Sequence, residues 1–518
     1  MESVILWPVM VIFLVVGQLA TIGRGANILY ISSVASPSHF LWSQRLFERL
    51  AEDGHNVTVV NLYKHGFIRG VHLLKLDGVI ADLSEEEEVD YVEFGQMNPF
   101  EMHVSFAELE LQVCELAIRN SEFKRLLEYP RNFRFDLVIH DHLAGPCLLS
   151  LLPAFNYPPL VLASALDRLS TTSSSLGTFF FPGFIPNQAY DVAGPMNFYQ
   201  RSVNFVLSYW EHFFKEFVYY PKLDNLIKMN LNQTDRVSCL EKRTLLALLN
   251  YNSLLEPPEP MLASIIPVGG LHIKPTNQLP SDLIQIIDKS SNGFILFSLG
   301  TNARSDLLDT AILLEIIASM TTLSSITFLW KLDTEDRLPA KLPINVITSA
   351  WFPQNDLLAH PNARLFITHG GLLSTQEATW HGVPIVGIPI YADQFGNVDQ
   401  LVRKGVGQRL SLMQLTSHQL IDCIKDVIQN ESYRKNAMLL SKLLRDRREH
   451  PLETAVWSIE WVLRNAETSH QWNQSLVNYG FLEKYSFDVI VALVCITMLT
   501  FTAMVFTIVA VPCRLAKN

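Results

Sequence analysis

The amino-acid sequence predicts an α/β protein of two parallel-sheet domains facing a cleft, plus one C-terminal transmembrane helix. Three observations carry that expectation. Short β-rich runs alternate with helix-period stretches in each half, a Pro- and Gly-rich segment separates the halves, and 23 uncharged residues, Val489 to Val511, lie near the end. At 518 residues the chain exceeds the usual size of a single domain.

Taken in order, the apolar run Val4 to Ala20, broken only by Pro8, Gly17 and Gln18 and followed by Gly23, Gly25 and Ala26, reads as a secretory signal over residues 1–25. An N-terminal domain follows over 26–270. Its βαβ rhythm runs through a strand at Asn27 to Ser33, a helix at His39 to Ala51 and strands at Val57 to Leu62 and Phe135 to His140. Leu255-Glu-Pro-Pro-Glu-Pro260 and Pro267-Val-Gly-Gly-Leu-His-Ile-Lys-Pro275 break regular structure, and a linker is expected over 271–291. The rhythm resumes in a C-terminal domain over 292–450, with strands at Phe294 to Leu299, Ile326 to Trp330, Asn345 to Thr348, Leu365 to Thr368 and Ile385 to Ile388. Residues 451–488 are read as a return helix and juxtamembrane segment. At 1.5 Å per residue the span 489–511 reaches about 34 Å, enough for the hydrocarbon core. The tail 512–518 carries Arg514 and Lys517 and no acid, so it is expected in the cytosol, which gives a type I topology.

The composition excludes some functions. Forty Lys and Arg against 51 Asp and Glu leave a formal charge of −11, which argues against nucleic acid as a partner. Hydrophobic residues make up 49% and charged residues 18%, so a large core is available and a disordered chain is excluded. The six cysteines form no Cys-x-x-Cys pair, and neither a disulfide framework nor a zinc ribbon is expected. Asn232, Asn430 and Asn473 head sequons suited to glycosylation, whereas Asn56 opens an apolar strand and is expected to go unused. Glu85 to Glu88 reads as a solvated loop. The aromatic stretch from Phe179 to Tyr220 fits ordinary core, a greasy pocket or a membrane-facing surface, and the sequence leaves these open.

The chemistry concentrates in Phe366-Ile-Thr-His-Gly-Gly-Leu-Leu-Ser-Thr-Gln-Glu377 and Gly382-Val-Pro-Ile-Val-Gly-Ile-Pro-Ile-Tyr-Ala-Asp-Gln394. The first reads as a strand, a glycine pair and a helix start. Glycines admit a ligand close to the backbone, and free N–H groups with a positive dipole end suit a diphosphate, with His369 as a further donor. The second sets a carboxylate, Asp393, beside an amide, Gln394, a pair able to grip several hydroxyls of a sugar.

This spacing resembles the signature of the UDP-glycosyltransferase family, of the animal glucuronosyl- and glucosyltransferase type and insect-like in cast. The likeness extends to Trp351-Phe-Pro-Gln354, Phe297-Ser-Leu-Gly-Thr301, Pro451-Leu-Glu-Thr-Ala-Val-Trp457 and the C-terminal anchor. It implies a GT-B fold, two Rossmann-like domains with the acceptor in the first and the nucleotide sugar in the second. By resemblance, Trp351 stacks on uracil and Gln354 holds the uridine. His369, Gly370, Gly371 and Ser374 contact the diphosphate, Glu377 takes the ribose hydroxyls, Asp393 and Gln394 bind the sugar, and Asn397 assists. Gly300 and Thr301 complete the UDP-sugar site. One position departs from many relatives, Leu373 standing where they carry Asn.

Moving a sugar to a hydroxyl with one inverting displacement needs a base. His39, after the first strand, matches the family's catalytic histidine, and Asp141, ending Asp136-Leu-Val-Ile-His140, matches its partner aspartate. No two aspartates are spaced i, i+2, and His140 and His142 alternate with Asp141 along the strand, so no metal site is expected. The UDP-sugar is a co-substrate, and no cofactor is expected. The expected activity is transfer of glucose or glucuronate to a hydroxyl of small lipophilic acceptors. Absence of Arg or Lys from Tyr391 to Gln400 favours glucose. The rival reading is a non-catalytic membrane-anchored protein that binds lipophiles or nucleotide sugars. An oxidoreductase is disfavoured because no Gly-x-Gly-x-x-Gly follows a strand. The endoplasmic reticulum membrane is the expected location, with the catalytic domains lumenal. A tail without paired lysines leaves the plasma membrane or later secretory pathway open, as it does a homo- or hetero-oligomer.

Overall fold

A computed structural model describes residues 25–34, 36–63, 67–80, 91–143, 145–167, 175–177, 181–192, 195–468 and 479–515. The signal segment, Glu85 to Glu88 and the sequon at Asn473 lie outside the described residues. Among those described, the first half forms a seven-stranded sheet in the order β3-β2-β1-β4-β5-β6-β7. Its strands are β1 (Asn27–Ile31), β2 (Asn56–Asn61), β3 (Val71–Lys75), β4 (Leu137–Asp141), β5 (Leu160–Ser164), β6 (Thr244–Leu249) and β7 (Ile265–Pro267). The second half forms a six-stranded sheet in the order β10-β9-β8-β11-β12-β13. Its strands are β8 (Phe294–Ser298), β9 (Thr327–Lys331), β10 (Val346–Ser349), β11 (Ala363–Thr368), β12 (Ile385–Gly387) and β13 (Gly407–Arg409). Neighbouring strands in both sheets run parallel.

Sheets covered on both faces need strands that are apolar throughout, and β4, β5 and β8 are buried at every residue. Strand order reverses between β1 and β4 and again between β8 and β11. In open parallel sheets ligands bind outside the strand C-termini at such a reversal. Each domain therefore has its binding edge fixed by topology before any side chain is considered.

The helices that matter to the site begin with α1 (Pro37–Glu52), α2 (Pro99–Arg119) and α3 (Phe198–Phe214). Proline opens α1, where its missing N–H costs nothing, and Trp42, Leu46, Phe47 and Leu50 seat its inner face on the first sheet. α4 (Ser281–Lys289) lies within the segment read as a linker, and its Leu283 and Ile287 pack in the C-terminal core. α5 (Leu372–His381) and α6 (Gln394–Arg403) follow β11 and β12. α7 (Pro451–Arg464) crosses back. Its Leu452, Ala455, Val456, Ile459 and Val462 join the core of the N-terminal domain, with Arg49 bonded to Glu453 at 2.6 Å. The domains are further tied where Gln376 Nε2 donates to the Asn250 carbonyl and Gly270 N–H donates to Gln376 Oε1, each at 3.1 Å. α8 (Phe487–Leu515) ends the described chain, and its stretch Phe487–Phe506 is long and apolar enough to cross a membrane and wholly unburied.

One expectation about cysteine is corrected. Cys114 and Cys147 form a disulfide, joining α2 to the 3₁₀ turn after β4 across a separation of 33 residues. Spacing alone concealed it, because the partners meet only once α2 has packed beside the sheet. Asn56 is exposed and donates to Asn27 Oδ1 at 2.9 Å, and Asn232 and Asn430 are exposed. A cross-link closing a loop of this length restricts the unfolded chain by about 4 kcal/mol in the chain-entropy model. Replacing both Cys114 and Cys147 by serine is expected to lower unfolding stability by about 2–4 kcal/mol, read as a fall in the melting temperature of the detergent-solubilised chain.

Candidate active site

On the N-terminal side, β1 ends at Ile31 and the chain turns through Ser36, the residue before α1, so that His39 falls in the first turn of that helix. Neighbouring β4 ends at Asp141. His39 Nδ1 lies 3.9 Å from Asp141 Oδ2, and both residues are buried. That separation exceeds a hydrogen bond, and His39 Nδ1 has no hydrogen-bond partner among the described residues. Asp141 is held from its other sides: Ser32 Oγ donates to it at 3.1 Å, Tyr30 Oη at 3.3 Å and Leu143 N–H at 3.4 Å. Burial lowers the His39 pKa, partly offset by the Asp141 charge, and burial raises that of Asp141, partly offset by His39. Both shifts favour neutral forms. His140 and His142 turn elsewhere, the first toward the Gly145 carbonyl at 3.2 Å and the second toward Glu241 at 3.6 Å.

Across the cleft, β8 ends at Ser298 and the chain passes through Gly300 and Thr301, while β11 ends at Thr368 and leads into His369, Gly370 and Gly371. The imidazole of His369 fills the space beside both glycines. A Cβ on Gly300 would stand 2.5 Å from its Cε1, and one on Gly371 would stand 2.6 Å from its Nε2. Gly300 also has φ +90° and Gly370 φ +86°. Burial, with Lys331 adding like-charge repulsion, lowers the His369 pKa to about 4, so the ring is neutral at physiological pH. α5 starts directly after Gly371, and the Leu372 N–H at its start bonds the Asp393 carboxylate.

Trp351 is 58% exposed, with an indole free to serve as a stacking platform. Gln354 Nε2 bonds Ser374 Oγ at 3.1 Å and Glu377 Oε2 at 2.7 Å, so three of the expected residues form one polar cluster. Burial pushes the Glu377 carboxyl up to about 7, and Asp393 likewise to about 7. Asn397 Nδ2 bonds both Asp393 Oδ2 at 2.7 Å and the Gly370 carbonyl at 3.0 Å, tying the carboxylate to the glycine turn. Gln394 points partly inward. Its Oε1 accepts from the N–H groups of Ile390 at 2.8 Å and Tyr391 at 3.1 Å.

These two half-sites line one cavity of about 1700 Å³. A single small ligand usually occupies roughly 300–1,000 Å³, so the space suits two. His39, Gly300, Thr301, Trp351, Gln354, His369, Gly371, Ser374, Glu377, Asp393, Gln394 and Asn397 all border it, while Asp141 stands behind His39 and Gly370 behind the turn. Sequence reasoning missed the residues that close the cleft. Ser36 Oγ donates to Asn302 Oδ1 at 3.1 Å across the domains, and Asn302 Nδ2 donates to Tyr391 Oη at 3.1 Å. His272 was also missed, and its Nε2 lies 3.3 Å from the Leu373 carbonyl and 3.7 Å from Glu377 Oε1. Its position in a Pro- and Gly-rich run offered no periodicity. Leu373 packs against the N-terminal core, which accounts for an apolar residue at that position.

Known proteins resemble the chain along most of its length. Residues 29–516 match the family model described as UDP-glucoronosyl and UDP-glucosyl transferase. UDP-glucosyltransferase 2 of Dactylopius coccus is 28% identical over 485 residues, 87% of each chain. UDP-glucuronosyltransferase 2B7 of Homo sapiens is 30% identical over 398 residues, 76% of this chain and 73% of that one. Among solved structures, the calicheamicin glycosyltransferase CalG4 aligns with TM-score 0.54 at 16% identity, covering 86% of this chain and all of that one. The kitacinnamycin glycotransferase aligns with TM-score 0.55 at 17% identity, covering 86% and 99%. At those identities the structures speak to the fold, which is GT-B.

The packing of His369 between two glycines is directly testable. Gly300→Ala combines a left-handed backbone with a clash against the imidazole and is expected to cost about 1–3 kcal/mol of stability. Thermal unfolding of the variant beside the unmodified chain checks this.

Proposed function

The chain belongs to the UDP-glucoronosyl and UDP-glucosyl transferase family and is a UDP-glycosyltransferase, and from that premise we propose that it transfers a hexose, with inversion, to a hydroxyl of a small lipophilic acceptor. The observation that carries this reading is the common cavity: a buried histidine backed by a carboxylate borders the same space as the glycine turn, the exposed indole and the Asp393–Asn397 pair.

In this reading the acceptor hydroxyl bonds to His39 Nε2. Its oxygen attacks C1 of the hexose as the bond from C1 to the UDP oxygen breaks, and the hydroxyl proton passes to Nε2. UDP departs with the bonding pair, its charge met by the positive end of α5 and the turn at Gly371. The imidazolium forms next to Asp141, which pays back part of the cost of charging a buried ring. Closing the gap of 3.9 Å needs a rotation of about 1 Å at the imidazole, a tightening common when substrate binds. The His39 pKa lies below its ordinary value, so the base is neutral, and competent, at neutral pH.

Glucose is the donor hexose we favour. Asp393 would stand near a uronate carboxylate, and Lys331, which borders the cavity, is engaged by Asp333 at 3.7 Å. Residence in the endoplasmic reticulum membrane, with both sheets lumenal, is supported by the wholly unburied apolar helix, the disulfide, and exposed Asn232 and Asn430. The rival reading, a non-catalytic binder, gives no reason for a buried His39–Asp141 pair.

His39→Ala is expected to lower kcat by about 10²- to 10⁴-fold, or about 3–5 kcal/mol of barrier, while UDP affinity by calorimetry stays within a few-fold. Turnover unchanged in this variant would remove the base from the mechanism. Asp141→Asn is expected to reduce kcat and to move the acid limb of the pH–rate profile to lower pH. The sign follows because the carboxylate charge raises the His39 pKa, and its removal leaves desolvation unopposed.

A further inference from the structure

Phe94, Met102, Phe106, Leu143 and Phe184 give the N-terminal wall of the cavity an apolar lining, as a lipophilic acceptor requires. One stretch of that wall carries charge instead. Glu110 of α2, Glu211 of α3, Lys215 at the start of the π-helical turn Lys215–Tyr219, and Glu241 at the end of the short helix Val237–Glu241 all border the cavity. Lys215 Nζ lies 3.2 Å from Glu211 Oε1, while Glu211 Oε2 accepts from Asn187 Nδ2 at 2.7 Å and has His103 Nε2 at 3.6 Å. Both basic groups thus face Glu211. Glu110 and Glu241 have tyrosine hydroxyls as their donors, Tyr219 for the first and Tyr220 Oη, at 2.6 Å from Oε2, for the second.

Glu241 is only 4% exposed, and its Oε1 has no hydrogen-bond partner among the described residues, with His142 Nδ1 standing 3.6 Å away. Burial keeps His142 neutral by lowering its pKa well below the ordinary value. Burial also opposes the charge on Lys215, yet Glu211 and Glu110 outweigh it and raise that pKa. Burial raises Glu110 and pushes Glu241 up to about 7, with Lys215 offsetting part of each shift. Three carboxylates therefore share one ammonium. The group is held rigidly, because Glu110 lies one turn before Cys114 on α2 and the disulfide partner Cys147 closely follows Gly145. Gly145 has φ +73°, and a Cβ on it would stand 2.7 Å from Glu110 Oε2.

An acceptor that is apolar throughout would strip water from this stretch and return no hydrogen bond or charge. A carboxylate on the acceptor would add like charge. An ammonium supplies both donors and the missing positive charge. We propose that this stretch is an acceptor subsite for a protonated amine, with Glu241 and Glu110 as its specificity-determining residues. The preferred acceptor is then amphiphilic, with a hydroxyl for His39 and a basic nitrogen for the two carboxylates. This rests on the transferase reading above and narrows its acceptor class.

The test gives the full chain in detergent UDP-glucose and two series of para-substituted phenols of graded chain length. One series ends in an ammonium and the other in a methyl group at the same place. At the length that spans from His39 to Glu241, the amine is expected to exceed its alkyl partner about tenfold in kcat/KM, chiefly through KM. Glu241→Gln, and separately Glu110→Gln, are expected to bring that ratio close to one. A substitution that only disturbs the fold lowers both partners alike, and a ratio left standing in both variants overturns the assignment. Preference for the alkyl partner at every length overturns it too, as does preference for phenols ending in a carboxylate. If the unmodified chain turns over none of these phenols, the transferase reading fails instead. Calorimetric titration of the two series then decides the subsite, equal affinity for amine and alkyl partners counting against it.

Discussion

Removal of water from the cleft governs the behaviour of every titratable group in it. Two parallel sheets present their strand C-termini to one cleft, where His39 and Asp141 are buried and His369, Glu377 and Asp393 half-buried. Desolvation penalises charge, and each of these groups is displaced toward its neutral form by that cause first. A neutral imidazole accepts a proton, and a nearby carboxylate becomes most useful when the imidazole becomes charged. The weak coupling seen at rest between His39 and Asp141 is the state from which proton uptake gains the most.

The C-terminal side of the cleft is shaped by its glycine turn. His369 closes over two glycines that leave it room, and Val398 of α6 occupies the space beside Gly370, where a Cβ would stand 2.3 Å from its Cγ2. The glycine turn is thereby clamped between a ring and a helix. Asn397 adds a side-chain brace, holding Asp393 to the Gly370 carbonyl. Gln394 serves two purposes, since its carbonyl oxygen secures the turn at Ile390 and Tyr391 while the residue lines the cavity. Leu373 shows the same economy, packing on the other domain while its own carbonyl lies within reach of His272.

Much of this was legible in the residues. Continuous apolar runs such as Leu137 to Ile139 and Phe294 to Phe297 announce strands buried on both faces, and their alternation with helices announces the parallel sheets. Short strands such as β7 and β13, three residues each, carry no periodicity to detect. Contacts between distant segments were also illegible: the Cys114–Cys147 bridge, the Ser36–Asn302 bond and the approach of His272 to Glu377 depend on how the elements pack. The aromatic stretch was ambiguous because periodicity reports that a helix has two unlike faces, not which of them meets solvent. Only the buried Asn204, Ser208 and Glu211 reveal that α3 turns its polar side inward.

The proposed reaction is a single displacement at C1 by a hydroxyl that His39 deprotonates, with the acceptor and the departing UDP on opposite faces of the sugar. Proton NMR of the product made from UDP-α-D-glucose and a simple phenol tests it most directly. A β-linked glucoside is expected, and an α-linked product would rule out a single displacement.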